Sequence, residues 1–170
     1  MPPTDKREKA SLPPVAVLAG GLGTRLREVT GALPKVLAPV AGKPFLAHVL
    51  DMLRNAGVPK AILCTGYGAK SVRETFGTGY EGMPLAYSEE KEPLGTGGAL
   101  RLAAEGMSSS GLLVANGDTC CVADIRAFYA WSVDHGARAA LLLTHVEDAG
   151  RYGRVEVDDE GRIVRFGEKE

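Results

Sequence analysis

Short apolar runs that end in glycine or an acid alternate with stretches of helical period along most of this chain. Pro14 to Leu18 is Val-rich, with prolines before it and glycines after it, the pattern of a buried strand feeding a loop. From Phe45 to Ala56, Leu46, Val49, Leu50 and Leu53 recur at i, i+3, i+4 and i+7, and Gly57 follows; this predicts a helix closed by a left-handed glycine. Lys60 to Thr65 predicts a second strand, Gly66-Tyr67-Gly68 a turn, and Lys70 to Phe76 a short helix. Pro84 to Tyr87 predicts a third strand, and Ala99 to Ala104 the start of a core helix capped near Gly106. Gly111-Leu112-Leu113-Val114-Ala115 reads as the most buried strand of the chain. Asp124 is placed to cap a helix from Ile125 to His135 closed by Gly136, and Ala139 to Thr144 predicts another buried strand. Strands alternating with helices imply an α/β fold around a mostly parallel sheet of about five strands or more.

The pattern changes near the end. Gly153 to Val157 alternates, Asp158-Asp159-Glu160-Gly161 is a turn, and Arg162 to Glu168 alternates again, which predicts an antiparallel hairpin with one wet face. No internal repeat is evident.

Composition narrows the class. With 170 residues, 45% hydrophobic and 24% charged, the chain is about one domain long and can bury a core. A net charge of −1 leaves no basic field for nucleic acid and no polybasic stretch for an anionic membrane. Met1 to Lys9 is charged and proline-bearing, so residues 1–13 are expected to be a disordered tail ahead of a domain over 14–170. The tail lacks an apolar signal core, and a cytoplasmic location is the corresponding expectation. Cys64, Cys120 and Cys121 are an odd set and suit reduced thiols; the adjacent pair lacks C-x-x-C spacing and is read as small buried hydrophobes rather than metal ligands.

The chemistry begins at Leu18-Ala19-Gly20-Gly21-Leu22-Gly23-Thr24-Arg25-Leu26. Glycines after a strand let successive N–H groups converge on phosphate oxygens, and Arg25 adds a planar fork of donors. The dinucleotide fingerprint fails at Leu26, where its third glycine would stand, and no Gly-Lys-Ser/Thr closes a P-loop. A tight turn with no ligand would explain one or two glycines but leaves Arg25 unexplained. Downstream, Pro34 and Pro39 forbid a regular helix and project Lys35 from an extended segment, as a second phosphate contact or as a solvated surface lysine. Ser88 to Gly98 is a charged, glycine-rich loop at a strand's end, where ligands commonly sit. Asn116-Gly117-Asp118-Thr119 follows the most apolar strand. A carboxylate there, facing a polyphosphate, is a natural Mg²⁺ anchor; the plainer alternative is a turn cap. His48 lies beside an apolar helix stripe and reads as packed or surface rather than catalytic.

These motifs occur in a characteristic order: the glycine loop at 18–26, Pro34-Lys35, Pro39-Val40, Gly42-Lys43-Pro44, Glu92 to Gly98, Asn116-Gly117-Asp118, Tyr152-Gly153 and Phe166-Gly167-Glu168-Lys169. Over about residues 14–169 the chain resembles the sugar-1-phosphate nucleotidylyltransferases, most of all guanylyltransferases acting on D-glycero-D-manno-heptose 1-phosphate or mannose 1-phosphate. The resemblance implies a three-layer α/β/α, Rossmann-like fold. It also implies a Mg²⁺-dependent reaction of an NTP with a sugar 1-phosphate to give an NDP-sugar and pyrophosphate. By the same resemblance, Gly20, Gly21, Gly23 and Thr24 hold the nucleotide, Arg25 neutralises the departing pyrophosphate, Lys35 steadies the α-phosphate and Asp118 ligates Mg²⁺. Glu90 and Gly95 face the base, while Gly153, Glu168 and Lys169 receive the sugar phosphate. A carboxylate such as Glu90 suits the N–H groups of guanine, which favours GTP, although uridylyltransferases share similar loops. Molybdenum-cofactor nucleotidyl transfer shares the glycine opening, but the motif at 92–98 and Glu168-Lys169 speak for a sugar acceptor.

Relatives in this family continue beyond the point reached by Glu170 and carry a second acidic metal ligand there. The sequence reading is therefore of an apparently truncated enzyme, with a catalytically weak nucleotide-binding module as its alternative. A homo-oligomer is compatible with either.

Overall fold

In the computed structural model, which describes residues 11–21, 33–105, 107, 109, 111–146 and 153–167, the run after Pro14 becomes β1 (Val15–Leu18), a central strand of the sheet. A single 3-10 turn at Lys35–Leu37 leads into a small ribbon, β2 (Pro39–Val40) and β3 (Lys43–Pro44). Its two-residue connection, Ala41 at φ 48° and Gly42 at φ 84°, has the left-handed pair that matches the twist of paired strands. Then follow α1 (Phe45–Asn55), β4 (Ala61–Thr65), α2 (Ala69–Phe76), β5 (Gly79–Tyr80), β6 (Met83–Glu89), α3 (Gly95–Ala104), β7 (Leu113–Asn116) and α4 (Ile125–Asp134). The sheet runs β5-β6-β4-β1-β7, with β1, β4, β6 and β7 parallel and only β5 antiparallel.

Period-two alternation sorts the strands between two apolar layers. Val15, Val17 and Leu63 pack with Leu46, Val49, Leu50 and Leu53 of α1 and with Val72 and Phe76 of α2. Ala16, Ile62 and Cys64 pack with Ala99 and Ala103 of α3. The result is helices on both faces of a mostly parallel sheet, the three-layer arrangement expected. Each large side chain buried completely here, such as Leu46 or Leu50, contributes about 1.5–3 kcal/mol. Gly57, at φ 82°, ends α1 as its position after the apolar stripe requires. No helix among the described residues is long and apolar enough to cross a membrane.

The structure differs from the sequence reading at several places. Leu12 is only 3% exposed and joins the larger core cluster, so the ordered part takes in a residue assigned to the tail. The helix expected from Ala99 starts at Gly95, because the turn before it is closed by a side chain described below. Gly111 to Ala115 is not the most buried strand: β7 lies at one end of the sheet and Val114 is 50% exposed. That place belongs to β4, all five residues of which are buried between neighbours on both sides.

The chain divides into two compact units, the first ending at Ala130 and the second beginning at Trp131. In the second unit the expected hairpin forms from β8 (Arg154–Val157) and β9 (Ile163–Gly167), with Val155 opposite Phe166. Asp158 Oδ1 accepts the N–H groups of Glu160 and Arg162 across its turn. The strand expected at 139–144 is absent; Leu141, Leu142 and Leu143 are each about half exposed. An apolar run becomes a strand only when a neighbour completes its backbone hydrogen bonds.

Candidate active site

The carboxyl ends of the parallel strands line up along one edge of the first unit. Leu18 of β1 is in register with Cys64 of β4 and Asn116 of β7, and Thr65 of β4 with Glu89 of β6. The chain moves outward from β1 to β4 and β6, then returns to place β7 on the far side of β1. This reversal is a topological switch point, where open α/β sheets leave a crevice beyond the strand ends.

Gly20 and Gly21 leave β1 at that edge. A Cβ on Gly20 would lie 3.2 Å from the Gly66 nitrogen and 3.4 Å from the Thr65 carbonyl carbon, so a side chain there would require the loop after β1 or the loop after β4 to give by a few tenths of an ångström. Gly21 has nothing within 4 Å of its Cβ position. Gly23, Thr24 and Arg25 lie outside the described residues, as do Glu168 and Lys169.

Lys35 is set by what surrounds it in sequence. Val36 and Leu37 are buried at 4% and 6% exposure, and the turn is closed by Leu37 N–H to Pro34 O at 2.8 Å. Lys35 thus stands on a 3-10 turn, not on the extended segment its flanking prolines suggested. The following ribbon is tied to α1 by Phe45 N–H to Ala38 O and by His48 Nε2 on Val40 O at 2.8 Å. His48 is accordingly a packing and tethering residue. Lys43 pairs with Asp51 of α1, whose other oxygen accepts the Tyr80 hydroxyl at 3.0 Å. The Lys43 hydrogen bond is the largest influence holding the Asp51 carboxyl below its usual value, with burial opposing it and the Tyr80 hydroxyl and the Lys43 and Arg54 charges reinforcing it.

Asp118 meets Lys35 directly. Lys35 Nζ donates to Asp118 Oδ2 at 2.7 Å, with the two side chains 40% and 36% exposed. Asp118 Oδ1 accepts the Thr119 hydroxyl at 3.3 Å. A pair this exposed contributes at most about 1 kcal/mol to folding, so its importance lies in placement. The placement rests on Gly117: its N–H donates to Leu18 O at 2.9 Å, and a Cβ there would sit 3.0 Å from the same oxygen and 3.3 Å from Val36 Cγ1. Gly117 therefore brings the β7 turn and the Lys35 turn together. In the sequence it is only the middle of an Asn-Gly-Asp tripeptide, which carries no local sign of this contact.

Glu90 continues the same edge. Its N–H donates to Thr65 O, and its Oε2 accepts the Leu94 N–H at 2.8 Å. One carboxylate oxygen is thus committed to closing the turn at 90–94, which is why α3 begins at Gly95, at φ 69°. Part of Glu90's acceptor capacity is used within the chain, and Gly95 begins the helix that follows. The neighbouring Cys64 thiol is pushed up to about 11 by burial first and the Glu90 charge second, which leaves it an inert core group. Cys120 and Cys121 are exposed, not buried as expected, because they follow the end strand of the sheet in a segment with no regular structure. Gly153 opens β8 in the second unit, its Cβ position 3.8 Å from Gly167 O.

The donor set at the β1–β7 crevice suits a hard divalent cation. Asp118 supplies carboxylate oxygen, and the ammonium seated on it already marks the position as one that accepts positive charge. Among the described residues no group of three or more His, Cys, Asp or Glu could hold a metal by itself.

A protein-family profile described as Nucleotidyl transferase matches residues 15–169. The chain belongs to this family. It is 39% identical over 153 residues to D-glycero-alpha-D-manno-heptose 1-phosphate guanylyltransferase of Aneurinibacillus thermoaerophilus, covering 90% of this chain and 66% of that protein. It is 38% identical to mannose-1-phosphate guanylyltransferase of Mycobacterium tuberculosis, covering 90% of this chain and 43% of that one. A crystal structure of HddC from Yersinia pseudotuberculosis complexed with GMP-PN superposes with a TM-score of 0.77 at 33% identity, covering 92% of this chain and 69% of the other. The chain thus spans about two thirds or less of the length of these two guanylyltransferases. Nucleotidyl transferases work with a divalent metal.

Proposed function

We propose that this chain carries the nucleotide-activating site of a sugar-1-phosphate nucleotidylyltransferase, with GTP and a heptose or mannose 1-phosphate as preferred substrates. The observation that carries this reading is the Lys35–Asp118 pair, set at the switch point beside the glycines that follow β1. A lysine, a carboxylate and glycines directly after a strand are the parts needed to hold a triphosphate. The likeness to two guanylyltransferases supports the choice of base and sugar.

In the reaction a phosphate oxygen of the sugar 1-phosphate attacks the α-phosphorus of the NTP. A new P–O bond forms, the bond from α-phosphorus to the bridging oxygen breaks, and pyrophosphate leaves with the electron pair. Catalysis of this kind is positioning and charge neutralisation. Gly20 and Gly21 admit the phosphates close to the backbone, and Lys35 neutralises α-phosphate charge. Glu90, through the Leu94 N–H, shapes the turn against which the base rests. Asp118 would hold the divalent metal, Mg²⁺ in this reading, which would supply Lewis acidity at the phosphates. By their motifs, Gly23, Thr24 and Arg25 complete the triphosphate contacts, and Gly153, Glu168 and Lys169 take the sugar phosphate.

The test is pyrophosphate release on incubation with GTP, Mg²⁺ and mannose or heptose 1-phosphate, with ATP, UTP, CTP and dTTP as comparisons. Turnover with GTP well above the other nucleotides is expected. No pyrophosphate with any nucleotide rejects the enzymatic reading, and saturable GTP binding without release would leave the nucleotide-binding module.

A further inference from the structure

Asp118 stands in an ion pair with Lys35. Among the described residues its side-chain partners are Lys35 Nζ on one oxygen and the Thr119 hydroxyl on the other. Both groups of the ion pair are wanted elsewhere in the proposed reaction, Lys35 by the α-phosphate and Asp118 by the metal.

We propose that the Lys35–Asp118 pair is a latch that couples metal binding to nucleotide binding: Lys35 guards Asp118 until a triphosphate draws it away. This rests on the reading above, which places metal at Asp118 and phosphate at Lys35. The geometry allows the exchange with little movement. Val36 and Leu37 anchor the backbone of the turn in the core, so only the flexible stem of Lys35 has to rotate. With the two side chains 40% and 36% exposed, the contact is screened and breaks at small cost. A triphosphate carries several negative charges against the single charge of Asp118, so it outcompetes the carboxylate for the ammonium. The freed carboxylate then faces the cation that the phosphates also hold.

The consequence is a linkage. A group that opposes metal in the empty chain and favours nucleotide makes each ligand raise the affinity of the other, by the same factor in both directions. Metal alone binds the empty chain weakly, both because one carboxylate is a poor site and because a lysine sits on it.

The experiment measures Mn²⁺ binding to the full chain without nucleotide, from the electron paramagnetic resonance signal of free Mn²⁺. It compares the native chain with Lys35→Met, Lys35→Arg and Asp118→Asn, and each is also titrated with GTP in EDTA. Lys35→Met should bind Mn²⁺ about three- to tenfold more tightly than the native chain, the scale of a surface pair of about 1 kcal/mol, and should bind GTP more weakly. Lys35→Arg keeps the cation and should stay within about twofold of the native Mn²⁺ affinity. Asp118→Asn should lose the site. Equal or weaker Mn²⁺ binding by Lys35→Met, or no binding in any variant, overturns the latch. Failure of the native chain to bind any NTP overturns the functional reading and the latch with it, whereas NTP binding together with equal or weaker Mn²⁺ binding by Lys35→Met overturns the latch alone. Thermal midpoints check that the half-exposed Lys35 position tolerates the changes.

Discussion

Gly117→Ala places a methyl group where three parts of the structure meet. The added carbon would lie 3.0 Å from Leu18 O, 3.3 Å from Val36 Cγ1 and 3.4 Å from Ala19 Cβ. A comfortable carbon–oxygen separation is about 3.3–3.6 Å, so the β7 turn must retreat by about 0.3–0.6 Å. The oxygen it must retreat from is the one that accepts the Gly117 N–H at 2.9 Å. Weakening that bond costs about 0.5–1.5 kcal/mol, and crowding a packed region about 1–3 kcal/mol, while the loss of glycine's freedom in the unfolded chain returns about 0.4–1 kcal/mol. The net expectation is a destabilisation of about 0.5–4 kcal/mol, centred near 2 kcal/mol, which calorimetry should read as a fall in Tm of about 4–8 °C. Asp118 moves with the turn, and in the proposed reaction a displacement of this carboxylate by a few tenths of an ångström should lower kcat by about tenfold while leaving KM for nucleotide within about threefold. Gly21→Ala is the contrast, since nothing lies within 4 Å of its Cβ position. Its Tm should hold within about 1 °C while nucleotide affinity falls. An unchanged Tm and an unchanged rate for Gly117→Ala would refute the claim that this glycine sets the distance between the Lys35 and Asp118 turns.

Two further expectations concern stability. Thr65 is fully buried, and its hydroxyl has no hydrogen-bond partner among the described residues; Thr65→Val should raise stability by about 1 kcal/mol, read as a Tm gain of about 2–4 °C, and a loss of stability would show that the hydroxyl is satisfied. The Asp51 carboxyl is held below its usual value of 3.8 chiefly by the Lys43 hydrogen bond, so the folded chain binds fewer protons there than the unfolded one. Its contribution is therefore present above about pH 4 and lost as pH falls through the lowered folded value. Urea unfolding should find Asp51→Asn less stable than the native chain at pH 7 by up to about 1 kcal/mol, with the gap narrowing as pH falls below about 4; a gap that does not narrow on acidification would sink the assignment.

Most of the first unit could be read from the chain because its signals are local. The Leu46–Val49–Leu50–Leu53 stripe and Gly57 define α1 without reference to anything distant. Runs such as Ala61 to Thr65 are so uniformly apolar that burial on both faces is the only stable outcome. The errors fell where a strand's fate depends on its neighbours. Leu112-Leu113-Val114 is as apolar as a central strand, yet it lies at the end of the sheet, and Ala139 to Thr144 forms no strand at all. Apolar composition reports a tendency to pair but not the availability of a partner. The start of α3 was missed for a different reason: the acceptor for the Leu94 N–H is a carboxylate four residues earlier, which helix propensity does not register.

By itself, the amino-acid sequence determined the α/β alternation, the glycine loop after β1, and the residue types of the site, because each depends on composition or on contacts a few residues apart. Only the tertiary structure decided that Lys35 and Asp118, separated by 83 positions, stand 2.7 Å from each other. That contact follows from the return of the chain across β1 and from the absence of a Cβ at Gly117. Neither leaves a periodic trace in the sequence, because the distance between two strand ends is set by the order of strands in the sheet and by the close approach of backbones.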